Sequence, residues 1–186
     1  MHRKIAPAIL VADDHSIVRF GLKILIQKMY PEFSYFEATS YQQAQQKLTQ
    51  KTMQLLILDI SMPGGDNIKA ISDFKTQFTE TKILIFSSYS EKIYAERYLN
   101  AGADGYIHKD SSEEQITEMI RALIRGEANS SPELAKEIDQ TKTSPLEALS
   151  DREIDVAKLL ADGLGNLEIA NAMNLKMSTV STYKKR

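Results

Sequence analysis

The chain has 186 residues, a formal charge of −2, 42% hydrophobic and 26% charged residues, an ordinary globular balance that excludes wholesale disorder. It has no cysteine, which excludes a disulfide framework and a thiolate metal site, and its three histidines, His2, His15 and His108, lack metal-ligand spacing. No apolar run approaches the roughly 18 residues of a membrane span, and the first one stops at Asp13-Asp14, too short for a signal peptide, so a cytoplasmic protein without membrane contact is expected.

Ala8–Ala12 reads as a buried strand, and Ile17, Phe20, Ile24, Leu25 and Lys28 follow at helical spacing. Ser34–Ala38 is a second strand and Tyr41–Gln50 a polar helix. Leu55-Leu56-Ile57-Leu58 is an unbroken apolar run ending at Asp59. Residues 68–78 suit a helix, 82–86 a fourth strand, 90–101 a fourth helix and 104–108 a short fifth strand. Ile116, Met119, Ile120, Leu123 and Ile124 form the stripe of a fifth helix, which Gly126 ends. Strands alternating with helices imply an α/β fold: βαβ units around a parallel sheet covered on both faces.

Residues 126–145 are polar, with Ser131-Pro132 and Ser144-Pro145, and read as a linker with a short helix over 133–140. From residue 146 the pattern is helical. Ser150 and Glu153 make a capping box before Ile154, Ala157, Leu160 and Ala161, and Gly163 ends that helix. Asn166 is placed to cap a second helix carrying Ile169, Ala170 and Met173, and Ser178 a third. Short helices around such turns suggest a helix-turn-helix. Lys176, Lys184, Lys185 and Arg186 form a basic tip with no acid among residues 176–186, which suits nucleic acid.

In open parallel sheets, ligands bind outside the carboxyl ends of the strands. Asp13 and Asp14 follow the first strand, Asp59 ends the third, Ser87 follows the fourth and Lys109 the fifth, so all five land on that edge. Clustered carboxylates are costly without a cation. Only oxygen ligands are on offer, so a hard ion such as Mg2+ is the natural guest. Lys109 and Ser87 suit phosphoryl oxygens, and one carboxylate can serve as nucleophile toward phosphorus.

Residues 1–125 resemble the receiver domain of bacterial two-component response regulators. The likeness rests on Asp13-Asp14, on Asp59 through Gly64, on Ser87, and on Ala101 through Asp110. Residues 146–186 resemble the LuxR-type helix-turn-helix through Leu149–Glu153, Ala161-Asp162-Gly163, Asn166–Ala170 and Ser178-Thr179-Val180. Together they are similar to the NarL/FixJ subfamily, which implies a (βα)5 flavodoxin-like, doubly wound receiver at 1–125, a linker at 126–145 and a DNA-binding domain at 146–186.

The resemblance implies that Asp59 accepts phosphate from a sensor histidine kinase. It implies Mg2+ on Asp13, Asp14, Asp59 and the backbone carbonyl of Ser61, with Ser87 and Lys109 on the phosphoryl group. Tyr106 is the implied aromatic switch, turning inward when Ser87 moves. The third helix of the C-terminal module is expected in the major groove, with Ser181, Thr182 and Lys185 toward bases and Lys176, Thr179, Lys184 and Arg186 toward phosphates. Phosphorylation is expected to favour a homodimer on promoter DNA. Asn67 stands where the family has Gly, and Ser181 and Tyr183 where Lys and His are frequent. The family's usual fourth helix has no counterpart before Arg186, so that module is expected to be incomplete.

Two other readings compete. A phosphohydrolase with an aspartyl nucleophile needs an acid two residues beyond Asp59, where Ser61 stands, and a cap segment for which the chain has no candidate. A DNA-binding protein with a bypassed pocket would act without phosphate.

Overall fold

The computed structural model describes residues 6–62, 68–127, 149, 151–161, 163–173 and 175–184. The chain divides into two compact units, Met1–Thr141 and Lys142–Arg186. Among the described residues of the first, five strands alternate with five helices: β1 (Ala8–Ala12), α1 (Ser16–Met29), β2 (Ser34–Ala38), α2 (Tyr41–Gln50), β3 (Leu55–Leu58), α3 (Ile68–Gln77), β4 (Lys82–Ser87), α4 (Glu91–Asn100), β5 (Gly105–His108) and α5 (Glu113–Ile124). The strands form one parallel sheet in the order β2-β1-β3-β4-β5, the expected doubly wound α/β fold.

Every residue of β1 and β3 is buried, because helices cover both faces and leave no place for a polar side chain. Ile9, Val11, Leu55, Ile57, Leu84, Phe86 and Ile107 pack with Leu22 and Ile26 of α1 and Ile120 and Leu123 of α5. The alternate residues Leu10, Leu56, Leu58, Ile83 and Ile85 are buried on the opposite face. Fully burying each such side chain contributes about 1.5–3 kcal/mol.

The helix after β1 forms where expected, but with a different inner face. Leu22 and Ile26 carry its burial, whereas Ile17, Phe20 and Ile24 are exposed at 74%, 58% and 53%. Gly126 ends α5 as expected, at φ +78° in the left-handed region, with its N–H on Leu123 O.

An ionic cluster ties the sheet's amino-terminal edge. Asp104, just before β5, receives Lys75 Nζ at 2.6 Å, Lys82 Nζ at 2.9 Å and the Ile83 amide at 2.9 Å. Burial pushes the Asp104 carboxyl up, but these donors outweigh it and hold the pKa below its ordinary 3.8. A depressed carboxyl stabilises the fold above its unfolded pKa, and that stability is lost as pH falls through the folded value. Asp104→Asn is therefore expected to lower stability by about 1–2 kcal/mol at neutral pH, the lysines being partly exposed. The deficit should shrink below about pH 4. Urea unfolding at neutral and acidic pH checks this, and an equal loss at both would contradict it.

The second unit contains α6 (Asp151–Ala161), α7 (Asn166–Ala172) and α8 (Met177–Tyr183). Val156, Ile169, Ala170 and Val180 form its core, with Leu159, Leu160, Leu164, Met173, Leu175 and Tyr183 packed around it. Among the described residues of α6, Ile154 and Val156 are the buried apolar ones, while Ala157 and Ala161 face outward, against expectation. Gly163 ends α6 at φ +87°, as expected.

Two caps differ from the sequence reading. Gly165 precedes α7, and Glu168 Oε2 accepts its N–H at 2.7 Å, so Asn166 is the first helical residue and not the cap. Lys176 occupies the N-cap of α8 with no side-chain bond, and Ser178 lies inside the helix. Ser150, Asn67, the helix expected over 133–140, and Lys185 and Arg186 lie outside the described residues.

Candidate functional site

The pocket is built from the carboxyl ends of β1, β3, β4 and β5. Asp13 follows β1 with its N–H on Ala38 O, and Asp59 follows β3 with its N–H on Ala12 O, so the sheet's own ladder fixes both backbones. Each is only 1% exposed, and Asp14 lies beside them at the surface. Lys109 follows β5, with its N–H on Ser87 O at 2.8 Å.

The Lys109 ammonium bridges two strands' ends, 2.7 Å from Asp13 Oδ2 and 2.8 Å from Asp59 Oδ2. Burial pushes the lysine's pKa down, but its bonds and attraction to Asp13 and Asp59 prevail and leave it raised, so it stays charged. The other Asp59 oxygen, Oδ1, accepts the Ser61 amide at 2.9 Å. Arg19 Nη1 donates to Asp13 O at 2.9 Å while its Nε holds Glu37 at 3.0 Å, anchoring the acidic turn to α1 and β2.

Asp13, Asp14, His15 and Asp59 each offer a ligand atom, all within 4.8 Å of one another. This corrects the sequence reading of His15. Its Nδ1 lies 2.8 Å from Asp14 Oδ1 and 3.2 Å from Asp13 Oδ1, while its backbone N–H donates to Asp13 Oδ1 at 2.7 Å. The tight turn folds the ring back onto the two carboxylates before it, a geometry that helical spacing rules do not describe. Adjacency in Asp13-Asp14-His15 was the available signal. Carboxylate oxygens dominate the set and fit a hard divalent cation.

Asp13, Asp14, Asp59 and Lys109 thus come together. Ser87 is fully buried at the end of β4, where its Oγ accepts the Tyr89 N–H at 3.0 Å. Tyr106, expected to turn inward on phosphorylation, is already inside at 3% exposure, with its hydroxyl donated to Tyr89 O at 2.9 Å. Its ring centroid lies 6.2 Å from that of buried Tyr98.

In the second unit, Lys176, Thr182 and Lys184 are exposed on α8 or at its ends, and Thr179 and Ser181 are half-buried. Ser181 Oγ accepts Asn166 Nδ2 at 3.4 Å, and Thr182 Oγ1 donates to Ser178 O at 2.9 Å, so both hydroxyls have partners within the unit.

A sheet-edge carboxylate pocket on one unit and a module with three described helices in the other fit a signalling receiver joined to a DNA-binding module. Residues 9–121 match the response regulator receiver domain and residues 147–186 the LuxR family of bacterial regulatory proteins. The chain belongs to the response regulators with a LuxR-type DNA-binding region, and so to the phosphorylation-dependent regulators of transcription.

It is 34% identical over 191 residues to the oxygen regulatory protein NreC of Staphylococcus epidermidis, covering 95% of this chain and 87% of that one. NreC of Staphylococcus carnosus is 32% identical over 188 residues, with the same coverage. Among solved structures, a LuxR-family two-component response regulator from Aurantimonas is 30% identical with a TM-score of 0.63, covering 72% of this chain and 95% of that one. RcsB of Salmonella typhimurium shares the fold, with a TM-score of 0.65 at 24% identity over 96% of this chain and 89% of that one.

Proposed function

We propose that Asp59 is the phosphate acceptor of a two-component pathway and that its acyl phosphate governs DNA binding. The observation that carries this is the Lys109 ammonium held between the buried carboxylates of Asp13 and Asp59. It positions a cation beside the buried Asp59 carboxylate at the end of the sheet's central strand, whose other oxygen is anchored by the Ser61 amide. An Asp59 oxygen attacks the phosphorus of a phosphohistidine on a sensor histidine kinase. The P–O bond forms as the P–N bond breaks, and the departing imidazole takes the electron pair. Lys109 and the Ser87 hydroxyl receive the transferred oxygens.

Asp13, Asp14, Asp59 and the Ser61 carbonyl would hold Mg2+, which supplies positive charge for those oxygens when bound. The chain turns over no separate substrate beyond its own phosphorylation and slow dephosphorylation. A protein donor is also supported by α1, whose exposed Ile17, Phe20 and Ile24 make an apolar stripe beside the pocket. No described helix is long and apolar enough to cross a membrane.

We place the receiver at residues 1–125, a linker at 126–145 and the DNA-binding domain at 146–186. Phosphorylation favours a homodimer, which presents two copies of α8 to half-sites about one helical turn apart. Lys176, Thr179, Ser181, Thr182 and Lys184, with Lys185 and Arg186, form the DNA contacts. RcsB, 25% identical to this chain, has been solved bound to a promoter in the presence of the phosphomimetic BeF3−.

The test is affinity for promoter DNA with and without a phosphodonor, at one fixed salt concentration, alongside sedimentation. Phosphorylation should tighten binding about tenfold, a coupling of about 1.4 kcal/mol, and produce a dimer. The affinity should fall steeply with salt. Equal affinity and an unchanged monomer in both states would sink the switch and favour the phosphate-independent reading.

A further inference from the structure

The loop from β4 into α4 starts at Ser87, and the end of edge strand β5 holds three consecutive carbonyls of that segment. The Lys109 amide donates to Ser87 O at 2.8 Å, the His108 ring Nε2 lies 2.9 Å from Ser88 O, and the Tyr106 hydroxyl donates to Tyr89 O at 2.9 Å. A fourth link runs the other way, from the His108 backbone N–H to Glu91 Oε1 at 3.0 Å, which satisfies a free-edge amide with the first residue of α4. The ladder explains the first link, and the expected aromatic switch the third. The His108 ring is explained by neither.

Both ring nitrogens of His108 are engaged. The Asp110 N–H donates to Nδ1 at 3.2 Å. A carbonyl can only accept and a backbone N–H can only donate, so the two bonds require a proton on Nε2 and a lone pair on Nδ1. This geometry calls for the Nε2–H tautomer. The Asp110 carboxylate, 3.7 Å from Nδ1 and 92% exposed, is too far and too solvated to displace that arrangement.

We propose that His108 is a positioning residue for phosphoryl transfer: its Nε2–H holds the Ser88 carbonyl and so keeps the Ser87 hydroxyl registered beside Lys109. This inference rests on the acyl phosphate reading of Asp59. Ser88 is exposed, so without the ring its carbonyl turns to water and the Ser88 peptide is free to rotate. Ser87 Oγ accepts the next amide, that of Tyr89, and moves with it. His108 thus acts through the loop and touches neither the acceptor nor the phosphoryl group.

Two measurements on the full chain test this. Long-range 1H–15N correlation of the imidazole in the wild type should show the Nε2–H tautomer alone. An Nδ1–H tautomer, or rapid averaging of the two, overturns the latch whatever the phosphorylation chemistry proves to be. Rates of phosphorylation by acetyl phosphate with Mg2+ then compare His108→Ala, His108→Asn and His108→Gln. A glutamine amide reaches the position of Nε2, and an asparagine amide only that of Nδ1. Alanine and asparagine should slow the reaction about five-fold, the worth of one hydrogen bond, and glutamine should restore it to within about two-fold. Wild-type rates in all three, or glutamine as slow as alanine, overturn the role. A wild type that gains no phosphate at all fails the Asp59 reading instead, and the tautomer still decides the latch.

Discussion

Asp59→Asn should abolish phosphorylation outright, the largest effect expected of any single substitution in this chain. Incubated with acetyl phosphate and Mg2+, the wild type should gain the mass of one phosphoryl group, and the variant none. The argument is chemical. An amide oxygen is a poor nucleophile, and Asp59, at the end of the central strand, has one oxygen on Lys109 and one on the Ser61 amide, whereas Asp13, held by Lys109 and the His15 amide, also takes the His15 ring. Asparagine keeps the shape, and its single amide oxygen can still accept one of the two bonds, so with an unchanged circular-dichroism spectrum loss of the label reads out the nucleophile and not the fold. A variant that gains the same mass under identical conditions would move the acceptor elsewhere, Asp13 and Asp14 being the nearest carboxylates.

Removing the divalent cation comes second. A phosphoryl donor must bring its negative oxygens toward three carboxylates that only one ammonium balances. Two like charges 4 Å apart repel by about 4 kcal/mol at an effective dielectric constant of 20. At 1.36 kcal/mol per power of ten, the uncompensated approach costs about three powers of ten in rate. Chelation should therefore slow phosphorylation by about 100- to 1,000-fold. Asp13→Asn should weaken Mg2+ binding about tenfold or more in a calorimetric titration, because it takes one formal charge from the ligand set. An unchanged rate in excess chelator would refute the metal's role.

What could be read in the residues, and what could not, follows from how the fold hides its side chains. The strands were legible because a sheet covered on both faces demands uninterrupted apolar runs, and Leu55–Leu58 can be little else. The edge residues Asp13, Asp59 and Lys109 were legible because a parallel sheet brings strand ends to one side, and the structure joins all three. Helix orientation was not. In α1 the stripe Ile17, Phe20 and Ile24 has the same spacing as a core face, and hydrophobicity alone cannot separate it from Leu22 and Ile26.

Caps were the other miss. Asn166 and Ser178 are good capping types, but with Ile169 and Val180 in the core α7 starts one residue and α8 two residues before the point those caps require. His15 and His108 escaped because each acts on neighbours one or two residues away or across a loop, where no periodic pattern marks the contact.

The Lys109 bridge has a consequence for the charge of the pocket through its cycle. Asp13, Asp14 and Asp59 against one ammonium leave an excess close to two negative charges, which a divalent cation just neutralises. Conversion of the Asp59 carboxylate into an acyl phosphate replaces one negative charge by nearly two, so the occupied pocket becomes anionic again. The same ammonium then has a stronger claimant than Asp13. On the proposed reading it would swing toward the new oxygens, and Asp13, still buried, would lean more heavily on a bound metal. Phosphate and metal would then strengthen each other's hold, so that chemistry at one strand end alters the electrostatic needs of another.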